Sequence, residues 1–345
     1  MGGTTVKKVR LRRARVDAPG LARRRAGRGW VYLDPDGVRV LDPEVVARCK
    51  SLVIPPAWKE VWICPIPNGH IQAVGTDDAG RRQYLYHPAW RASRDAAKHE
   101  RVLDLARRLP AARRQVTIDL ARPGMPRERA LAVAFRLLDL GFFRVGGETY
   151  AQNNGSFGLA TLRKDHVRIG RDGRLTFEYR AKSGQLRHLI LADPGLVEPL
   201  TMLRRRRGGG DELLAFHAGR WHDVTSADIN AYVKERLGPD ASAKDFRTWH
   251  GTVLAALELA LRIPAATTPT GRKRAERAAV AEVAVYLGNT PAVCRASYID
   301  SRVLELARRG ETIDPALARR VDNPDEPTSP DTRGAVEHAV LDLLE

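Results

Sequence analysis

Leu287-Gly288-Asn289-Thr290-Pro291-Ala292-Val293-Cys294-Arg295-Ala296-Ser297-Tyr298 joins two helical stretches across a short polar turn. The run Arg274 to Leu287 has helical composition and stops at Gly288, because glycine tolerates the left-handed conformation that ends helices. Pro291 suits the first turn of a new helix, which carries Tyr298. A tyrosine on a helix is by default a packing or surface residue. Here the polar Asn289 lies just upstream and strongly basic elements precede it in the chain. A phenol in such company can attack a phosphodiester and form a covalent intermediate. Cations nearby would then balance the charge that builds on the phosphorus oxygens.

The 345 residues carry 58 Lys and Arg against 41 Asp and Glu, a net charge of +17. Length predicts two or three domains. Arginine and alanine are abundant and lysine is scarce, as GC-rich coding produces. That bias explains arginine over lysine but not the excess over acids, so the charge points to a polyanion, nucleic acid first. Cys49, Cys64 and Cys294 have no metal-ligand spacing and are odd in number, which fits a reduced, intracellular protein. No apolar run reaches the roughly 18 residues of a membrane span. No internal repeat, phosphate-binding glycine motif or acidic cluster is visible, so no ATP site and no required metal is expected.

From the N-terminus, Lys7 to Arg28 holds one acid, Asp17. Transit peptides share this composition, but a disordered basic arm is the simpler expectation. Trp30–Leu33 and Val38–Val40 flank Asp34-Pro35-Asp36-Gly37 as a hairpin. Asp42-Pro43 starts a short helix to about Lys50. Strands come next at about 60–64, 70–76 and 81–86. In the last, alternation puts Arg82, Tyr84 and Tyr86 on one face and Arg81, Gln83 and Leu85 on the other. The tyrosines either pack on the core or face a partner. Gln and Arg suit base edges and tyrosine hydroxyls suit phosphates.

A long helix from about Pro88 to Leu109 is expected to end at Pro110, with a domain boundary at about 95–110. Another runs from Arg127 to Leu140, and Gly141 stops it. In Phe142-Phe143-Arg144-Val145-Gly146 an arginine sits at a loop or helix edge, backed by aromatic packing. Residues 159–191 read as a three-stranded meander, with a hairpin signal at Arg171-Asp172-Gly173-Arg174 and Lys182-Ser183-Gly184 at the next turn. Arg204–Arg207 with Gly208–Gly210 reads as a charged, flexible surface loop. Thr225 caps a helix to about Leu237. Lys244-Asp245-Phe246-Arg247-Thr248-Trp249-His250 leads into an apolar helix through Leu261. His250, one turn from Arg247, reads as a packing or phosphate-contacting residue, since no second ligand is spaced for a metal. Pro264–Gly271 is a polar linker. The tail from Asp322 is rich in Pro and Asp and closes with a helix near Ala335 to Leu344.

Six of these stretches, in this order, resemble the type IB DNA topoisomerases of the short bacterial and poxviral kind. They are Ile54-Pro55-Pro56-Ala57-Trp58, Gly80-Arg81-Arg82-Gln83-Tyr84-Leu85-Tyr86, Phe143-Arg144-Val145-Gly146, Arg180-Ala181-Lys182-Ser183-Gly184, Lys244-Asp245-Phe246-Arg247-Thr248, and Gly288-Asn289-Thr290-Pro291 with Ser297-Tyr298. The likeness runs from about Trp30 to about Leu306. It implies an α+β fold: a small antiparallel β N-terminal domain, then a mainly α-helical catalytic domain carrying a three-stranded β meander. The implied divisions are a basic arm at 1–28, a β-rich DNA-clamp domain at 29–100, a catalytic domain at 101–321 and a tail at 322–345.

The resemblance implies a catalytic set of Arg144, Lys182, Arg247, Asn289 and Tyr298. Tyr298 would be the nucleophile, Lys182 the general acid, and Arg144 and Arg247 the phosphate clamps. Relatives from eukaryotes and poxviruses carry histidine where this chain has Asn289, which donates a hydrogen bond but holds no charge. DNA contacts are implied for Arg81, Gln83, Tyr84, Tyr86 and Lys244. The partner would be double-stranded DNA, clamped by a cytoplasmic, nucleoid-associated monomer, with no cofactor and no metal. A tyrosine recombinase uses a similar residue set, but the β-stranded N-terminal part and the Ile54–Trp58 motif stand against it. A basic DNA-binding protein without chemistry is the reading from another class.

Overall fold

The structure, a computed structural model, describes residues 9–141, 143–147, 155–321 and 330–345. The first part of the basic arm (1–8), Phe142 and the Pro- and Asp-rich start of the tail (322–329) lie outside the described residues. The chain divides into two compact units, Met1–Lys98 and His99–Glu345.

The first unit is a five-stranded antiparallel sheet with one helix. In chain order its elements are β1 (Leu21–Ala26), β2 (Gly29–Leu33), α1 (Pro43–Ser51), β3 (Lys59–Ile63), β4 (Ile71–Thr76) and β5 (Arg82–Tyr86). The sheet order is β2-β1-β3-β4-β5. Leu21, Tyr32, Cys49, Ile54, Val61, Ile63 and Ala73 form its core. Asp42 caps α1 as expected, its carboxylate accepting from the Glu44 N–H.

Two expectations fail here. The basic arm is not disordered over its whole length, because Leu21–Ala26 is the strand that joins β2 to β3. Upstream, the Arg12 N–H donates to the Asn68 carbonyl, and the Trp62 indole donates to the Ala18 carbonyl. In Leu-Ala-Arg-Arg-Arg-Ala only Leu21 is buried, so arginines hide the strand pattern. One of these arginines has a structural role. The Arg23 guanidinium stacks 4.1 Å over Trp30 and donates to the Ile54 and Trp58 carbonyls at 2.8 and 3.1 Å. It thereby holds the Ile54–Trp58 motif to the sheet. The second, the hairpin at 30–40, fails only in extent. The turn forms, with the Asp34 N–H donating to the Val38 carbonyl and the Val40 N–H to the Tyr32 carbonyl around one bridge, Leu33 to Arg39. The full-length partner of β2, however, is β1.

The helix α2 (Pro88–Leu120) runs from the first unit into the second and passes through Pro110 rather than ending there. A helix-interior proline costs about 3 kcal/mol or more. Leu105, Ala106, Leu109, Ala112, Val116 and Leu120 are buried at helical spacing on both sides of it, and that burial outweighs the lost hydrogen bond.

The second unit continues with α3 (Arg127–Gly141), β6 (Val167–Ile169), β7 (Arg174–Arg180), β8 (Leu186–Ala192), α4 (Pro194–Arg205), β9 (Ala215–Ala218), β10 (Arg220–Asp223), α5 (Ser226–Leu237), α6 (Ala243–Arg262), α7 (Pro269–Leu287), α8 (Pro291–Ser297), α9 (Ser301–Arg309), α10 (Pro315–Val321) and α11 (Pro330–Leu344). The meander β6-β7-β8 is antiparallel as expected, though Leu159–Thr161 is a 3-10 turn and not a strand. The α+β class and its order, sheet first and helices around a three-stranded sheet after, are those read from the sequence. α3 and α6 are nearly all buried and cross at Phe135 and Phe246, whose rings meet edge to face at 5.1 Å. No helix among the described residues is long and apolar enough to cross a membrane.

The expected flexible loop at 204–210 is also corrected. Arg204 and Arg205 end α4, and the Arg206 side chain is fully buried, donating to the Leu203 and Leu213 carbonyls at 2.9 and 3.0 Å. The loop folds around that guanidinium and leads into the hairpin β9-β10.

α11 is held by a buried ionic network. Arg113 donates to both Asp139 oxygens at 2.9 Å and to both Glu337 oxygens at 2.6 and 2.8 Å. Arg333 donates to Asp139 at 2.7 Å and to Glu337 at 3.2 Å. Burial alone would raise the Asp139 carboxyl, but Arg333 and Arg113 outweigh it and hold it well below the usual carboxylate range. His250 is buried beside this network, and burial pushes it down to about 4, with Arg333 adding to the fall. It is therefore a packing residue, not a phosphate contact.

Replacing Asp139→Asn should destabilise the protein by about 3–5 kcal/mol, because it breaks a buried pair and leaves guanidiniums short of charge. A depressed carboxyl contributes fully above its unfolded pKa and loses that contribution as pH falls toward the folded one. Urea melts between about pH 3 and 7 should therefore show a gap between wild type and variant that is constant near neutrality and narrows below about pH 4. A gap that ignores pH would contradict the ionic account.

Candidate active site

Four elements of the second unit converge on Tyr298. After α3 ends, Phe143 turns inward and packs on Phe177 and Tyr179 at 5.1 and 5.9 Å between ring centroids. This anchors the next residue, Arg144. The backbone is pinned as well: the Arg144 carbonyl accepts from Leu159 N–H and the Val145 carbonyl from Ala160 N–H, both at 2.8 Å. α6 brings Arg247, which is buried. α7 ends at Gly288, whose φ of 58° is left-handed, and the Asn289 N–H closes the cap on the Ala284 carbonyl at 3.0 Å. α8 restarts on Thr290, whose hydroxyl accepts from Val293 N–H, and delivers Tyr298 at its last turn. Gly251 of α6 makes room for this turn, since a Cβ there would lie 2.7 Å from the Tyr298 carbonyl oxygen.

The side chains meet around the phenol. An Arg144 Nη lies 3.5 Å from the Tyr298 hydroxyl, and its other Nη donates to the Asn289 amide oxygen at 2.6 Å and to the Gly288 carbonyl at 3.2 Å. Arg247 donates to the Leu287 carbonyl at 2.7 Å, and its guanidinium carbon sits 5.1 Å from the Tyr298 ring centre. Burial alone would raise the phenol of Tyr298, but Arg247 and then Arg144 overcome it, and the phenol is held below its ordinary value. Arg247 itself is lowered to about 10, first by burial and then by Arg144. It remains a cation at neutral pH.

Lys182 is exposed on the 3-10 turn Lys182–Gly184 between β7 and β8. It lines a pocket of about 240 Å³ with Arg144, Gly146, Gly147, Ser156 and Phe157. Lys244 is exposed in the first turn of α6, three residues before Arg247, and it is not drawn into the cluster. Arg81, Gln83, Tyr84 and Tyr86 lie in the first unit on the edge strand β5 or just before it. Tyr84 and Tyr86 are 43% and 38% exposed and stack on each other, so they do not belong to the core. Arg81 and Gln83 both donate to the Asp77 carboxylate at 2.9 Å. Among the described residues no group of carboxylates, imidazoles and thiols is placed to hold a metal.

One residue at this site was not singled out from sequence. Arg187 of β8 donates to the Val285 and Tyr286 carbonyls at 3.3 and 2.6 Å, and the Tyr179 phenol also interacts with its guanidinium. No local signal marks it in the sequence, since its place across from Tyr179 is visible only in the register of the sheet.

A phenol set between two guanidiniums, beside a pocket lined by a third cation, is equipped to attack a phosphate. A family profile described as "Eukaryotic DNA topoisomerase I, catalytic core" matches residues 87–319. The chain belongs to the type IB DNA topoisomerases. A second profile, "Bacterial DNA topoisomerase IB, N-terminal domain", matches residues 29–77. The "DNA topoisomerase 1B" of Acanthamoeba polyphaga mimivirus is 30% identical over 296 residues, 83% of this chain and 87% of that protein. The "DNA topoisomerase 1" of Daucus carota is 27% identical over 128 residues, 37% of this chain and 15% of that much longer protein. The chain is thus a type IB topoisomerase enzyme that acts on DNA, and the recombinase and non-catalytic readings fall away.

Subtracting the ultraviolet pH titration of Tyr298→Phe from that of wild type isolates the Tyr298 phenol. It should ionise below the tyrosine value of about 10. In Arg144→Ala and in Arg247→Ala its pKa should rise, since burial then meets less opposition. An ordinary value in all three proteins would contradict the electrostatic account.

Proposed function

We propose that Tyr298 attacks a backbone phosphate of duplex DNA and becomes joined to the 3′ phosphate, with release of a 5′ hydroxyl. The observation that carries this reading is the placement of the phenol between Arg144 and Arg247, with Asn289 bound to the same Arg144. The new bond is tyrosine oxygen to phosphorus, and the bond that breaks is phosphorus to the 5′ oxygen. The phenol gives its proton to solvent water, a loss eased by the field of the two arginines. Arg144 and Arg247 hold the non-bridging oxygens of the pentacoordinate transition state, where planar forks match paired oxygens. Asn289 adds a neutral hydrogen bond. Lys182, on its turn beside the pocket, gives its proton to the departing 5′ oxygen, because an alkoxide leaves poorly near neutral pH.

The cut strand then rotates, and reversal of the same steps reseals it. Bond energy is kept in the phosphotyrosine, so relaxation of supercoils needs no ATP. The first unit, with Arg81, Gln83, Tyr84 and Tyr86 on or beside its exposed edge strand, and Lys244 in the second serve as DNA contacts. The chain works as a cytoplasmic monomer that clamps around the duplex.

Relaxation of a supercoiled plasmid without ATP or Mg²⁺ tests the whole reading. Tyr298→Phe should bind DNA as before, relax nothing and form no covalent adduct. Relaxation by that variant would refute the nucleophile. With net charge +17, binding should also weaken steeply with salt. If about 6–10 phosphates are contacted, affinity should fall on the order of 10³–10⁵ between about 50 and 200 mM.

The proton donor has its own test. A thiolate leaves without protonation, so sulfur at the bridging 5′ position should restore single-turnover cleavage to Lys182→Ala. It should not restore Asn289→Ala, whose missing amide acts on other oxygens. Equal rescue of both variants, or of neither, would make Lys182 one more phosphate contact.

A further inference from the structure

Four consecutive carbonyls at the end of α7, those of Val285, Tyr286, Leu287 and Gly288, each accept from an arginine. Arg144 and Arg247 supply two of these contacts and also face Tyr298. Arg187 supplies the other two. It reaches from β8, the return strand of the hairpin whose turn carries Lys182. At its root, Arg187 lies across from Tyr179, which stacks on Phe143, the residue before Arg144. At its tip, an Nη sits so close to the helix end that a Cβ on Gly288 would lie 2.8 Å from it.

From this span we infer that Arg187 is a positioning residue. It ties the Lys182 hairpin to the Gly288-Asn289 turn and so sets Asn289 and Arg144 in register with Lys182. Arg144 and Arg247 also face the Tyr298 phenol, whereas both Nη groups of Arg187 are taken up by the Val285 and Tyr286 carbonyls, which favours a strut over a phosphate contact. The inference rests on the proposed reaction and concerns only how its parts are held. Arginine suits this role because one planar group can hold two successive carbonyls from across a gap. A lysine ammonium is a compact point charge without that planar fork, so it fixes the two carbonyls less rigidly.

The test is single-turnover cleavage of a duplex by wild type, Arg187→Lys, Arg187→Ala, Asn289→Ala and the double variant Arg187→Ala with Asn289→Ala. DNA affinity is measured for each. Loss of registry should slow Arg187→Ala by about 10–100-fold, the usual cost of misplacing reacting groups by an ångström or so. Its DNA affinity should stay near wild type, and Arg187→Lys should recover part of the rate. If Arg187 acts through the Asn289 turn, the double variant should be no slower than the slower single variant.

Full additivity would overturn the inference, since it would mark an independent contact with the phosphate. A parallel loss of affinity and rate would overturn it too, as would an undiminished rate in Arg187→Ala. Should Arg187→Ala fail to fold, Arg187→Lys alone decides: a rate equal to wild type overturns the inference. Failure of the underlying reaction is separable, because wild type itself would then form no adduct at Tyr298.

Discussion

The carbonyl end of α7 is the feature on which the site depends. A helix C-terminus carries about half a negative charge, spread over carbonyls that have no partner within the helix. Three guanidiniums, from the exit of α3, from β8 and from α6, come together there. Their mutual repulsion is visible in Arg247, which burial and then Arg144 pull down to about 10. The helix end supplies the opposing partial charge and the acceptors that hold the three in place. Gly288 fixes where α7 ends, and only a turn and the seven-residue helix α8 separate it from Tyr298. The cations and the phenol are thus referenced to one short segment of chain.

Much of this was legible in the sequence, for reasons that are local. Asp42, Thr225, Gly288 and Pro291 mark helix ends through the chemistry of their own side chains or backbones, and the structure places helix ends there. Arg144, Lys182, Arg247, Asn289 and Tyr298 stand in motifs short enough to read in order. What was hidden depends on partners far along the chain. β1 reads as charge because its arginines project outward or hold carbonyls, as Arg23 does. α2 passes Pro110 because burial on both sides outweighs a local rule. Arg206 reads as a loop cation and is buried because the neighbouring backbone wraps around it. Arg187 alternates with exposed residues along β8 and has no signature, since its partners lie about a hundred residues on. His250 comes one turn after Arg247 yet faces Asp139 and Glu337, because each side of a buried helix meets different neighbours.

The second unit uses buried arginine in two opposite ways, and the contrast explains why one cluster is structural and the other suited to chemistry. At Asp139 and Glu337, two guanidiniums meet two carboxylates. Charge and hydrogen-bonding capacity are both satisfied, so an added anion would find little attraction there. At the end of α7 the guanidiniums meet carbonyls and an amide. Those acceptors satisfy geometry without cancelling charge, since a carbonyl bears only a partial charge. The arginines there keep most of their field, and the phenol of Tyr298 already responds to it. A phosphate, carrying a full charge and several acceptor oxygens, is the group that such a field stabilises most, and more so as negative charge builds on its oxygens. Holding cations by neutral acceptors is therefore a way to keep them in place, desolvated and still charged before DNA arrives, and it makes the carbonyls of residues 285–288 as much a part of the proposed chemistry as the side chains they hold.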